Sequence, residues 1–362
     1  MPRARASVRR EEALAAFTHV GNFVSCERFG SGHINETYLA VADTGKRYIL
    51  QRINNAIFTD LKGIMGNILA VSEHIREIVK NEGGDPERAT LRFLYTNWGK
   101  RYYRDSNNDG WRMYEFVEDT VAKDRVSCTE EFYACGVAFG RFQGWLSDFD
   151  ADQLIEPIPD FHNTPVRYEN LMKAVREDAV GRVAEAKAEI EFAMQRADFV
   201  HVLERAYQSG ELPLRVTHND TKLNNILFDT KTQKPVCVID LDTVMPGFSV
   251  NDFGDAIRFG ANTAAEDETD LSKVSLDLEL YNAFAKGFLK GCNGKLTEKE
   301  IELMPIGARM MTFECGMRFL TDYLQGDTYF RTEYDQHNLD RCRCQFALVA
   351  DMEKKEAEMK LN

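Results

Sequence analysis

The chain has no run of 18 or more apolar residues, so no segment of it reads as a membrane-spanning helix. It also lacks positive charge. Its 45 Lys and Arg stand against 58 Asp and Glu, a formal net charge of −13, which argues against nucleic acid and anionic membrane as partners. Cysteine is sparse and unpatterned: Cys26, Cys128, Cys135, Cys237, Cys292, Cys315, Cys342 and Cys344 form no CxxC pair and no metal-ligand spacing. They read as small apolar residues, the reduced thiols of a cytoplasmic protein. The basic opening MPRARASVRR has no apolar core of a signal peptide. It reads as a disordered lead-in, with a transit peptide as the alternative. Internal repeats and low-complexity stretches are absent.

What is present is a length of 362 residues and a hydrophobic content of 44%, enough for two packed domains or lobes. The chemistry is concentrated between Leu214 and Arg258. Three short β-prone runs, Leu214-Arg215-Val216-Thr217, Ile226-Leu227-Phe228 and Val236-Cys237-Val238-Ile239, frame a polar loop, His218-Asn219-Asp220-Thr221-Lys222-Leu223-Asn224-Asn225. Loops held by a rigid scaffold carry function more often than regular elements do. Within this one, His218, Asp220 and Asn225 have the spacing H-x-D-x-x-x-x-N, that of a phosphoryl-transfer catalytic loop. In such a loop an Asp accepts the proton of the attacking hydroxyl and an Asn offers a neutral oxygen to Mg²⁺. Twenty residues after Asp220, Ile239-Asp240-Leu241-Asp242 ends an apolar strand, where Asp240 is a hard-oxygen ligand for the same ion. Lys222 is placed to offset charge on the transferring group. The loop spacing alone arises by chance, and Asp or Asn beside a strand is ordinary turn chemistry. It is the second acid cluster at the right separation that favours function. His218 reads as a structural histidine; Asp252 and Asp255 read as braces of the loop, Asp252 equally as a helix cap.

These blocks, HNDTKLNNILFD, VIDLDTVMPG and DFGDAIRFGA followed by Glu266-Asp267-Glu268, closely resemble the N-acetylhexosamine 1-kinases. That family lies in the aminoglycoside phosphotransferase and choline kinase-like branch of the protein-kinase fold. The resemblance runs from GHINETY near the start to ECGMRFLTDYL near the end. It implies a two-lobed α+β fold: an extension with a short helix over residues 1–20, an N-lobe of antiparallel sheet plus one helix over 21–116, and a mainly helical C-lobe over 117–362. It implies ATP as phosphoryl donor, Mg²⁺ as cofactor and a small sugar as partner, with transfer to the anomeric hydroxyl. Such a hydroxyl is more acidic than an ordinary alcohol, so an ordinary carboxylate suffices as base.

Along the N-terminal part, Phe23–Phe29, Thr37–Val41 and Arg47–Ile53 read as strands. The turn between the first two has glycines, of which Gly32 can bring its backbone to phosphate, although a plain hairpin is the default reading. The resemblance makes His33 a sugar contact; Asn35 reads as a turn residue. Gln51 stands where most kinases of this fold carry a lysine, and period two sends Arg52 to the other face. Ile64, Ile68, Val71, Ile75 and Ile78 mark an amphipathic helix. Leu91–Tyr95 and Trp111–Val117 read as paired strands, and by resemblance the backbone at Glu115 and Val117 reads the adenine edge.

Farther on, Phe132, Cys135, Phe139, Phe142 and Leu146 line one face of a core helix, and Gly136, Gly140 and Gly144 a second, closely packed face. Prolines mark a loop around Phe161-His162-Asn163-Thr164. Helices are expected near 167–180 and 184–208, both surface-lying, and near 275–292, 297–325 and 351–362. Phe259 either floors a sugar pocket or is core. Glu314, Arg318 and Asp322 share one helix face and read, from spacing, as an exposed ion-pair ladder; by resemblance Arg318 and Tyr329 are sugar ligands. The rival readings are a kinase of the same superfamily acting on choline, methylthioribose, homoserine or an aminoglycoside, and a nucleotide-binding regulator without catalysis, the latter prompted by Gln51.

Overall fold

A computed structural model describes residues 2–30 and 34–361. The expected contacts at Gly32 and His33 lie outside the described residues. In chain order the elements are α1 (Pro2–Ala16), β1 (Phe23–Arg28), β2 (Glu36–Ala42), β3 (Arg47–Ile53), α2 (Leu61–Asn81), α3 (Pro86–Ala89), β4 (Tyr103–Arg104), β5 (Gly110–Glu115) and β6 (Thr120–Ala122). There follow α4 (Thr129–Trp145), α5 (Thr164–Glu177), α6 (Lys187–Met194), α7 (Val202–Gln208), β7 (Arg215–Thr217), β8 (Ile226–Asp229), β9 (Pro235–Val238) and β10 (Met245–Gly247). The chain closes with α8 (Ser249–Gly260), α9 (Leu278–Cys292), α10 (Glu298–Leu324) and α11 (His337–Lys354). No helix among the described residues is long and apolar enough to cross a membrane. The chain forms two compact units: one of the residues up to Val121 with Asp152–Pro159 and Leu227–Val244, the other of Ala122–Ala151, Asp160–Ile226 and Met245 onward.

The first unit is built on a five-stranded antiparallel sheet in the order β1-β2-β3-β5-β4. Alternation along the strands separates two faces. One face carries Ala40, Ala42, Tyr48, Leu50, Trp111 and Met113, which bury Ala13, Leu14, Ala16 and Phe17 of α1. Arg52 has the same parity and pairs with Glu36 and Asp109 at the rim of that face. The other face presents Thr37, Gln51 and Arg112, which are directly opposite one another across β2, β3 and β5. Asp60 caps α2, and its apolar stripe, Ile64, Ile68, Val71 and Ile75, is buried. A three-stranded sheet, β6-β8-β9, carries the chain toward Asp240.

The second unit is helical. Gly136, Gly140, Gly287 and Gly291 let α4 and α9 touch backbone to backbone: a Cβ on Gly140 would overlap the Phe288 carbonyl, and one on Gly287 the Tyr133 carbonyl. Thr297 and Glu300 form a capping box at the start of α10. Glu300 is fully buried and also receives both guanidinium arms of Arg215 and the Ser249 hydroxyl, which ties β7, α8 and α10 together. Burial pushes the Glu300 carboxyl up, but Arg215 and the Thr297 amide more than reverse this and hold it low.

Five expectations shift. The chain is helical from Pro2, not disordered, because the turns from Ala13 onward are anchored on the sheet and Ala- and Arg-rich sequence extends them backward. Leu91–Tyr95 is no full strand. It bridges β5 only at Phe93–Tyr114, with bonds from the Leu94 and Glu115 amides, because β4 takes the other end of the same edge. The expected helix 184–208 divides into α6 and α7 about a 3₁₀ turn at Phe199–His201, which re-phases the chain so that Val200, Leu203 and Ala206 are buried. Neither it nor α5 is merely a surface helix, since Leu171, Ala174, Ile190 and Ala193 join a core with α10 and α11. The tail is helical only to Lys354, beyond which Met359 turns inward and its carbonyl accepts from the Tyr281 hydroxyl at 2.7 Å.

Replacing Gly140 by Ala forces α4 away from α9. The expected loss is about 3 kcal/mol of unfolding free energy, measured by urea titration, against a Gly66→Ala control, where an added Cβ meets open space inside α2 and the expected change is a gain of up to about 1 kcal/mol.

Candidate catalytic site

Strands β7 and β10 pair antiparallel, Thr217 opposite Met245. The polar loop leaves β7 and α8 leaves β10, so the pairing sets the first turn of α8 beneath the loop. Asp252, 1% exposed, accepts from the His218 amide at 2.8 Å, the Asn219 amide at 2.7 Å and Gln143 Nε2 at 2.7 Å. Its backbone carbonyl accepts the Thr221 hydroxyl at 2.6 Å. Burial pushes the Asp252 carboxyl up, with His218 and the two amides pulling against it. Asn219 is left-handed (φ 65°), the kink that turns Asp220 out of the strand direction. The His218 ring is buried edge-on to Phe139 and Phe142, and its Nδ1 accepts from the Asp220 amide at 3.2 Å. That is a structural position.

Asp220 is the partly open carboxylate of the loop. Its Oδ1 is 2.8 Å from Lys222 Nζ, and its Oδ2 accepts from Asn225 Nδ2 at 3.0 Å. Asn225 also donates to the Asp220 carbonyl at 2.7 Å, so its amide nitrogen is committed to the loop and its oxygen is the atom left for a ligand. Burial works against the Lys222 charge, yet Asp220 and Asp255 outweigh it and keep the ammonium more basic than usual. Asp255 accepts from the Thr221 amide at 3.0 Å and pairs with Arg258 at 2.8 Å, and Arg258 reaches on to Glu266 at 2.9 Å. Burial raises the Asp255 carboxyl, but Arg258 and Lys222 bring it below the ordinary value.

The proline-marked loop supplies a residue the sequence reading did not assign. His162 Nδ1 lies 2.7 Å from Glu314 Oε1 and its Nε2 3.3 Å from the Asn219 carbonyl, joining α10 to the loop next to Asp220. Its signal was a histidine in a loop of prolines, which does not reveal a distant carboxylate partner. The ion-pair ladder on α10 is not there. Glu314 is buried and bonds His162 and Thr164, and Asp322 is buried and accepts from the amides of Thr328, Tyr329 and Phe330. A face that spacing alone places in solvent is covered by two loops. Arg318, between them, has no carboxylate within ion-pair distance among the described residues; it lies against the rings of Phe161, Tyr329 and Phe330. Phe259 is 37% exposed and lines a cavity of the same unit.

In the first unit, Asp240 and Asp242 have opposite fates. Asp242 is buried, paired with Arg112 and accepting from Asn35 Nδ2 at 2.5 Å. Asp240 is exposed and left-handed (φ 61°) at the strand end, a conformation rare for a residue with a Cβ and common at functional sites. Among the described residues no three His, Cys, Asp or Glu side chains gather as a metal cage. An oxygen donor or two presented singly suits Mg²⁺ shared with phosphates. Gln51, in place of the lysine, donates to Thr37 Oγ1 at 3.0 Å and accepts from Arg112 Nε at 2.8 Å. Arg112 is thus the buried cation of this face, which the sequence reading missed because it sits on β5. Asn35 is more than a turn residue, since its oxygen also takes the Asn54 amide. The Glu115 amide is bonded to the Arg92 carbonyl, and the Val117 carbonyl accepts from Thr120.

The family model "APH: Phosphotransferase enzyme family" matches residues 25–273. Among solved structures, a microcompartment-associated aminopropanol kinase aligns over 98% of this chain and 99% of its own at 14% identity, with a TM-score of 0.61. An amicoumacin kinase in complex with AMP-PNP, Ca²⁺ and Ami aligns over 97% and 93% at 15% identity (TM-score 0.57). A choline kinase from Cryptosporidium parvum aligns over 93% and 92% at 15% identity (TM-score 0.56). At these identities the likeness establishes the fold: protein-kinase-like α+β, with a small antiparallel sheet in one unit and helices in the other.

Asp252→Ala strands two buried loop amides and Gln143, for an expected loss of more than about 3 kcal/mol in urea unfolding. Burial pushes Glu314 up, but His162 and Thr164 outweigh it, so Glu314, like Asp255, is depressed in the folded state. Depressed carboxyls contribute stability that is complete above about pH 4 and lost as pH falls through their folded values. Glu314→Gln is therefore expected to flatten the acid limb of stability against pH, measured by urea midpoints from pH 6 to pH 3.

Proposed function

Because the chain belongs to the phosphotransferase enzyme family, we propose that it is an ATP-dependent kinase of the anomeric hydroxyl of N-acetylglucosamine or N-acetylgalactosamine. The coarser statement, a small-molecule phosphotransferase with a hydroxyl acceptor, follows from the family itself. The observation that supports phosphoryl transfer is the Asp220 carboxylate, held by Lys222 on one oxygen and Asn225 on the other. Asp220 orients the sugar hydroxyl and takes its proton as the oxygen attacks the γ-phosphorus and the bond to the β,γ-bridging oxygen breaks, with ADP leaving. Lys222 then exchanges Asp220 for the phosphoryl oxygens, so one short ion pair serves both the resting loop and the charge that develops. Asn225, through its oxygen, and Asp240 would each offer an oxygen to Mg²⁺, which would neutralise phosphate charge when bound with ATP. Gly32, Glu115 and Val117 contact the nucleotide through their backbones. His33, Phe259, Arg318 and Tyr329 contact the sugar.

Charge pairing favours a neutral acceptor over choline or an aminoglycoside. Around the loop, Asp252, Asp255, Glu266 and Glu314 are each engaged by an amide, an arginine or a histidine. Arg318, which has no carboxylate within ion-pair distance among the described residues, is set among aromatic rings, which suit the apolar face of a pyranose. A cationic acceptor needs the reverse, carboxylates without partners.

Asp220→Asn is expected to lower kcat by several orders of magnitude with ATP affinity nearly intact; wild-type turnover in that variant would remove Asp220 as the base. A coupled assay with Mg-ATP should release ADP with N-acetylglucosamine and N-acetylgalactosamine and give the sugar 1-phosphate. Turnover with choline or kanamycin instead would move the acceptor class, and bound ATP without any turnover would make the chain a nucleotide-binding regulator.

A further inference from the structure

The peptide that joins Asn219 to Asp220 is held at both ends by histidines. Its N–H, on Asp220, donates to His218 Nδ1 at 3.2 Å. Its carbonyl, on Asn219, lies 3.3 Å from His162 Nε2. His218 belongs to the catalytic loop itself, whereas His162 arrives from a second loop, 57 residues earlier. Asn219 is left-handed (φ 65°), a conformation that its surroundings must hold.

The other ring nitrogen of His162, Nδ1, lies 2.7 Å from Glu314 Oε1. Glu314 is buried and held ionised, and its Oε2 also accepts the Thr164 hydroxyl at 2.6 Å. Both ring nitrogens thus face acceptors, a carboxylate and a carbonyl, and only a ring that donates from both satisfies the two. Such a ring has no nitrogen left to take a proton from substrate. The backbone around it is fastened without help from the catalytic loop. The Phe161 carbonyl accepts from Arg167 Nε and Nη2 at 3.2 and 2.8 Å, and Asn163 caps α5. The Phe161 ring in turn lies against the Arg318 guanidinium, 5.3 Å from its centroid. One fixed dipeptide therefore meets the proposed sugar contact on one side and the Asp220 peptide on the other.

We infer that His162 is a positioning residue for phosphoryl transfer: its Nε2 donor holds the Asn219–Asp220 peptide in the orientation that aims the Asp220 carboxylate at the acceptor hydroxyl. The inference rests on the kinase reading above for Asp220 as the base, and its test separates the two.

The variants are His162→Asn and His162→Gln in the full chain. The Asn amide nitrogen falls near the place of Nδ1 and keeps the Glu314 bond. The Gln amide nitrogen falls near Nε2 and keeps the bond to the Asn219 carbonyl. Each variant loses one hydrogen bond, so a histidine that only stabilises the fold would make the two alike in urea midpoint and in kcat. Expected instead is a kcat about a hundredfold lower in His162→Asn, the size of effect that misplacement by an ångström has, with most of the wild-type kcat kept in His162→Gln. KM for ATP and for N-acetylglucosamine is expected to be unchanged in both, because Phe161 and Arg318 keep their places. Equal kcat in the two variants, high or low, or the larger loss in His162→Gln, would overturn the positioning role and leave the kinase reading standing. Crystal structures of the variants read the peptide directly: a turned Asn219–Asp220 peptide in His162→Asn alone supports the role, and a peptide unmoved in both overturns it. A wild type that phosphorylates no acceptor sinks the kinase reading, and the positioning of the Asp220 carboxylate then stands or falls on those crystal structures.

Discussion

The buried carboxylate of Asp252 is what the second unit's site depends on. It sits in the first turn of a helix and accepts two consecutive backbone amides from the loop that carries Asp220. A loop that leaves its strand through a left-handed residue has amides that no ladder can satisfy, and burial makes unsatisfied amides expensive. The carboxylate resolves this with one side chain, itself steadied by Gln143 from α4. Because Gln143 belongs to the helix that α9 packs against through glycines, the loop inherits its position from a backbone-to-backbone helix contact.

A second theme is that buried and open carboxylates divide structure from chemistry. In the first unit Asp242 is neutralised by Arg112 and screened from solvent, and Asp240, two residues away, is exposed. In the second, Asp255 is neutralised by Arg258, and Asp220 lies partly open beside a lysine. A buried ion pair that loses one partner is destabilising, so the inner acids are poor candidates for reversible contact with substrate. The outer ones can change partner at little cost. Likewise the lysine absent at Gln51 is not simply lost: a buried arginine on the neighbouring strand occupies the same face, and Gln51 orients it.

Much of this was legible in the chain. The strand-loop-strand pattern around Asp220, the amphipathic stripe of α2 and the small-residue face of α4 depend on local periodicity and spacing, and the structure holds all three. The readings that failed share a cause. Spacing on α10 put Glu314 and Asp322 in solvent, where two loops distant in sequence cover them. The tail read as a helix to its end because charge and propensity are local, whereas its course is set by Tyr281, 78 residues away.

By itself, then, the sequence determined which residues could do chemistry and on what kind of element each one sits, since residue type, turn residues and apolar period are local properties. Only the tertiary structure decided which of those residues are free to do it. His162 meeting Glu314, Arg112 meeting Asp242 and Arg215 meeting Glu300 are separated by 152, 130 and 85 residues. Charge neutralisation and burial act through space at a few ångströms, and no pattern along the chain encodes which distant partner arrives.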